Sequence, residues 1–162
     1  MPTTYTTIAT QTLFTAASSV TFSSIPGSYT DLVLSSNFLN SGVGFSYIRI
    51  NGDSGSNYSY TAMVGNGSAA FSQGGGSQTE LYGLGAYQLY NGSINSLHYF
   101  NNYSNTTNNK TVLGRYNGVT NEVTATVGLW RSTSAINSIT LSLSANTFGI
   151  NSTFTLYGIK AA

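Results

Sequence analysis

The chain of 162 residues contains no cysteine. A disulfide framework, thiol chemistry and thiolate metal sites are therefore excluded. Charge is nearly as scarce: Asp, Glu, Lys and Arg make up 6% of the chain, against roughly 25% in an ordinary soluble domain. The net charge of +1 leaves no basic footprint for nucleic acid and no attraction to an acidic membrane surface. The single histidine, His98, rules out a zinc site built on several imidazoles of one chain. No stretch approaches the roughly 20 apolar residues of a membrane helix. The opening MPTTYTTIATQTL lacks the basic and apolar regions of a signal peptide. The expected setting is synthesis in a cytoplasm, with any exit by a route such as lysis.

Against these absences stand Ser, Thr, Asn and Gly in abundance, with 40% hydrophobic and 13% aromatic residues. Disorder combines low hydrophobicity with high net charge, and this chain has neither. Thr, Val, Ile, Tyr and Phe suit a pleated, half-buried surface. Apolar residues alternate with polar ones in SITLSLS and VTATVGLW, and STFTLYGI alternates with bulk on both faces. Period two is the mark of strands, and no convincing helical period is present. Between these runs lie IPGSYT, NGDSGSN, GNGS, QGGGSQ, YNGS and YNGV. Their Asn-Gly pairs, at Asn51, Asn66, Asn91 and Asn117, reach positive φ cheaply, as tight turns require.

Strands are expected near 6–15, 18–24, 30–38, 44–51, 57–64, 78–84, 94–102, 110–117, 122–131, 137–144 and 153–160. Such spacing indicates an all-β fold, an antiparallel β-sandwich that is jelly-roll-like. The whole of 1–162 is read as a single domain with a short extended N-terminal arm over about 1–6. The last strand carries large residues on both faces and is expected in the sheet interior, where residues distant in sequence pair.

Catalysis needs titratable groups gathered in a cleft, and the only acids are Asp31, Asp53, Glu80 and Glu122. No G-x-S-x-G elbow supports a Ser-His-Asp set. Asp53 lies in a turn segment and is expected to build that turn. NGDSGSN lacks the further acids of a calcium loop. SQGGGSQ has no Lys-Ser/Thr and no helix after it, so it reads as a flexible hairpin loop rather than a phosphate loop. His98, within INSLHYF, is expected to be structural. No catalytic residue, cofactor or metal site is expected, and the chain is read as a non-enzyme.

The better candidates are contacts. Trp130 and Arg131 are adjacent, so in a strand they point to opposite faces. Trp130 is expected in the core and Arg131 at the surface beside it, where it could pair with an acid or face a partner. Arg49 sits in the middle of a strand and is expected to pair with Asp31 or Glu80, or to meet a subunit. Tyr5 and Thr6 lie in the arm, which could add a strand to a neighbour's sheet. Uncharged strands pair readily at their edges, and Tyr and Phe are common interface anchors. Both facts favour self-association, here expected as a homotrimer.

VTFSSIPGSYTDLVL, RINGDSGSNYSY, VGLWRSTSAINSITLSL and STFTLYGIKAA resemble segments of small virion structural proteins of tailed bacteriophages. The resemblance runs in patches from about Val20 to the end, and 65–120 lies outside it. It implies a non-enzymatic protein located in the virion, made in the host cytoplasm and released by lysis. Two roles fit. The first is a capsid decoration or cement protein that binds the major capsid protein and stabilises the assembled lattice. The second is a tail-fibre or spike tip that binds host surface glycans. A third, a small glycan-processing enzyme, has little support in four acids and one histidine. A fibre usually needs a shaft, and a first strand starting by about Thr6 favours decoration.

Overall fold

The computed structural model of the protein describes residues 4–82, 91–119 and 121–160. These contain twelve strands and no helix: β1 (Tyr5–Thr12), β2 (Ser19–Phe22), β3 (Asp31–Asn40), β4 (Ser46–Ile50), β5 (Tyr58–Gly65), β6 (Ala70–Gln78), β7 (Leu81–Tyr82), β8 (Gly92–Phe100), β9 (Lys110–Asn117), β10 (Val123–Trp130), β11 (Ile139–Leu143) and β12 (Thr153–Ile159). The strands form two antiparallel sheets. One has eight strands in the order β1-β12-β3-β8-β9-β10-β5-β6, and the other has four in the order β2-β11-β4-β7. A jelly roll divides eight strands between two sheets. Here the division is eight and four, so the finer jelly-roll expectation does not follow from this strand order.

Alternation explains how the sheets stack. The small sheet turns Val20, Phe22, Ile48, Ile50, Ile139 and Leu141 inward, and the large sheet answers with Leu32, Leu34, Phe38, Phe100, Val112, Phe154 and Leu156 in one buried cluster. The rings of Phe38, Phe148 and Phe154 meet at centroid distances of 5.0–6.0 Å, a spacing at which aromatic pairs add to burial. Two glycines of the large sheet leave room for side chains packed against it. At Gly128 of β10 a Cβ would collide with the Leu81 side chain of β7, and at Gly158 of β12 it would collide with the Tyr29 ring.

The turn after β4 follows the expected chemistry. Asn51 and Gly52 have φ of 52° and 68°, both left-handed, and the Asp53 amide donates to the Ile50 carbonyl at 2.9 Å. The Asn51 side chain ties this turn to the chain before β11. Its Oδ1 accepts from the amides of Asn137 and Ser138, and its Nδ2 donates to the Ala135 carbonyl.

Three local expectations need correction. The arm over about 1–6 is not free, because Tyr5 and Thr6 belong to β1 and pair with Ile159 and Gly158 of β12; residues 1–3 lie outside the described residues. QGGGSQ is not a loop but the greater part of β6, where Gly74 and Gly75 pair with Thr61 and Tyr60. Backbone pairing to β5 overrides the conformational freedom of glycine there. The strand expected over 78–84 is broken at residues 79 and 80: Gln78 ends β6, Leu81–Tyr82 form β7, and residues 83 and 84 lie outside the described residues.

The last strand does sit inside the sheet. β12 pairs with β1 on one side and β3 on the other, and Phe154 and Leu156 are fully buried. Ending the chain after Asn151 should therefore abolish cooperative folding, since it strips a partner from two strands and two side chains from the core. Near-ultraviolet circular dichroism and a urea titration check this, and a folded, soluble product would refute it.

Candidate functional site

The polar residues singled out in the sequence divide into structural struts and one free surface. The strongest strut centres on Asp53. Its carboxylate accepts from the Gly55 amide at 2.8 Å, from Asn57 Nδ2 at 2.9 Å and from Trp130 Nε1 at 2.7 Å. Three donors hold this carboxyl below the usual carboxylate range, the indole bond contributing most. A depressed carboxyl contributes stability that is present above its unfolded pKa and lost as pH falls through the folded one. Trp130 itself is buried and lies parallel to the Tyr58 ring. The Tyr58 hydroxyl accepts from the Ile50 amide and faces the carbonyls of Ile50 and Asp53. Arg131 completes the loop by donating to the Ser56 carbonyl at 2.6 Å. Asp53 is thus a turn builder, and Arg131 fastens the same turn.

Arg49 of β4 forms an ion pair with Glu80 at 2.8 Å, one of the two acids expected for it. Beside it, Tyr47 packs edge-on to Tyr82 at 5.0 Å. Burial, then the Tyr82 hydrogen bond, pushes the Tyr47 phenol up to about 12. His98 is buried on the inner face of β8, aligned between Leu34 and Gly114, which is a structural position. Lys110 is a residue that sequence reasoning missed. It is buried at the start of β9 opposite Trp130, and its ammonium donates to the Asn108 and Thr133 carbonyls. Desolvation lowers its pKa. No sequence signal marks it beyond its place in an alternating strand.

These struts account for three of the five cations, Arg49, Lys110 and Arg131. Lys160 lies 5.7 Å from the centroid of the Tyr29 ring. The side chain of Arg115, on the outer face of β9, makes no hydrogen bond, ion pair or ring contact among the described residues. Among those residues no group of three His, Asp or Glu could hold a metal ion, and no helix is long and apolar enough to cross a membrane.

The outer face of the large sheet is the free surface. Register places Tyr157, Val33, Tyr99, Leu113 and Val127 side by side on β12, β3, β8, β9 and β10. Leu113 is 49% exposed and Val127 54%. The next row holds Leu97, Arg115, Ala125 and Met63. There the surface is dished into a concavity of about 660 Å³ that also reaches Asn95, Asn117 and Val123. Tyr5, half-exposed, meets Tyr157 edge-on at the margin of this face. Of the four residues expected to meet a partner, Arg49 and Arg131 are bound within the chain, and Thr6 is held in the β1–β12 pairing. The sequence shows alternation in each strand, but not the register that assembles the outer residues into a surface.

No protein-family description matches the chain, and no curated protein is significantly similar to it.

Two measurements check the struts. Trp130→Ala should cost roughly 3–5 kcal/mol, as expected for a large core ring; a loss under about 1 kcal/mol in urea titration would show that the ring is not core. Burial pushes Tyr58 up to about 12, as it does Tyr47, from the ordinary phenol value of 10.0. Both rings therefore favour folding while neutral, and this contribution falls as pH rises from 10 toward 12. Ultraviolet titration should show late-ionising tyrosines that merge with the rest in urea, and Tyr58→Phe should remove one of them.

Proposed function

We propose that this chain is a structural protein of a tailed-bacteriophage virion, a decoration protein that binds the major capsid protein and stabilises the assembled lattice. One observation carries this reading: the row from Tyr157 to Val127 crosses five adjacent strands without a formal charge, and it exposes Leu113 and Val127 beside the partly exposed Tyr157 and Tyr99, with Val33 buried between those two rings' strands. Exposed apolar surface of this extent is characteristic of interaction sites. A protein that binds only the assembled lattice stabilises it by mass action, and symmetric repetition multiplies weak contacts. Self-association as a homotrimer belongs to the same reading, and its support is the uncharged edge strand β6.

The alternative, a fibre or spike tip that binds host glycans, draws on the half-exposed Tyr5 and its contact with Tyr157. Rings of this kind stack on sugars, but the other walls of the face are largely aliphatic.

Labelling the protein in purified virions separates the two. Label spread over the head supports decoration, and label confined to the tail supports the tip. Leu113→Asp with Val127→Asp should leave the fold intact, because both side chains point outward, while reducing particle binding at least tenfold, on the order of 1.4 kcal/mol. Undiminished binding by the folded double variant would refute the role given to this face.

A further inference from the structure

The concavity in the outer face has a composition of its own. Its volume of about 660 Å³ falls in the range of ligand sites, about 300–1,000 Å³. Its outer-face walls are aliphatic, formed by Met63, Leu97, Val123 and Ala125. Arg115 stands among them, aligned between Leu97 of β8 and Ala125 of β10. Asn95 and Asn117 form the polar end, and Asn117 is fixed there because its Oδ1 accepts from the Asn95 amide at 2.8 Å.

Anything that covers these walls also takes the guanidinium out of water. An unpaired charge is costly to desolvate, so a good occupant brings one counter-charge with its apolar part. A second copy of the chain supplies it poorly. Asp53 and Glu80 are committed to Trp130 and Arg49, Asp31 holds the Asn102 amide, and Glu122 already interacts within the chain. A sugar also fits poorly, because the ring of Tyr116 belongs to the buried inner face and the outer walls present no aromatic platform. A phosphate monoester would leave part of its double charge unmatched by one guanidinium. A carboxylate matches both the single charge and the planar fork of Arg.

We propose that this concavity binds an amphipathic monocarboxylate, with its aliphatic chain on Met63, Leu97, Val123 and Ala125 and its carboxylate on Arg115. The site goes beyond the virion role and does not rest on it.

The test uses the whole chain and decanoate below its micelle concentration, with 1-decanol and decyltrimethylammonium as matched neutral and cationic probes. Binding is followed by methyl resonances of Met63, Leu97 and Val123 and by the Arg115 Nε signal. Decanoate should shift all four, bind at least about tenfold more tightly than decanol and weaken as salt rises, and the cation should not bind. Arg115→Gln should remove the preference for decanoate and leave decanol binding unchanged. Because the residue is exposed on a strand face, its fold should survive, which the unperturbed spectrum elsewhere confirms. If that variant does not fold, the salt series and Arg115→Lys decide, the lysine retaining part of the preference. Equal affinity for decanoate and decanol, shifts that map elsewhere, no binding of decanoate, or a preference unchanged in Arg115→Gln would each overturn the site. These outcomes leave the virion reading to its own labelling experiment.

Discussion

The seating of β12 between β1 and β3 is the constraint on which the rest of the large sheet depends. It joins the two ends of the chain, brings Tyr157 beside Val33 on the outer face and sets Phe154 and Leu156 in the core on the inner one. Because side chains alternate with a period of two, a slip of one residue would exchange these sets and put the core in solvent. The outer row and the core therefore have a common cause in one register.

Scarcity of charge shapes the remainder. With so few ionic groups, the chain makes its struts from amides, hydroxyls and one indole. Asp53 links β10 to the turn after β4, Asn51 links that turn to the segment before β11, and the Lys110 ammonium ties together carbonyls on two connections. Bonds to charged groups exceed neutral ones in strength, so the chain places its few charges where they fasten loops to strands. Arg115 departs from this economy: it stands on an exposed face, and its side chain makes no hydrogen bond or ion pair among the described residues. That contrast is why the face reads as a surface for something else.

Much of the architecture is legible in the sequence. SITLSLS and VTATVGLW alternate cleanly, and β11 and β10 occupy them. Asn51-Gly52 predicts a left-handed turn, and the turn is there. Trp130 is expected in the core and lies there. QGGGSQ fails for a physical reason, since local preference describes an isolated segment whereas the hydrogen bonds of β5 reward an extended partner whatever its side chains. Tyr5 and Thr6 look like a free arm because the strand that receives them lies at the far end of the chain.

The sequence by itself determined that the chain is all-β, that its charged residues are few, and that cysteine and clustered histidine chemistry are absent. These follow from composition and from a period of two, both local properties. Tertiary structure alone decided which alternating face meets water. Val127 and Leu113 look like core residues in their own strands, and only the β8–β9–β10 register and the placement of the small sheet on the opposite side leave them exposed beside Arg115. Burial depends on what lies across the sheet, and pairing between distant segments is not written in any one of them.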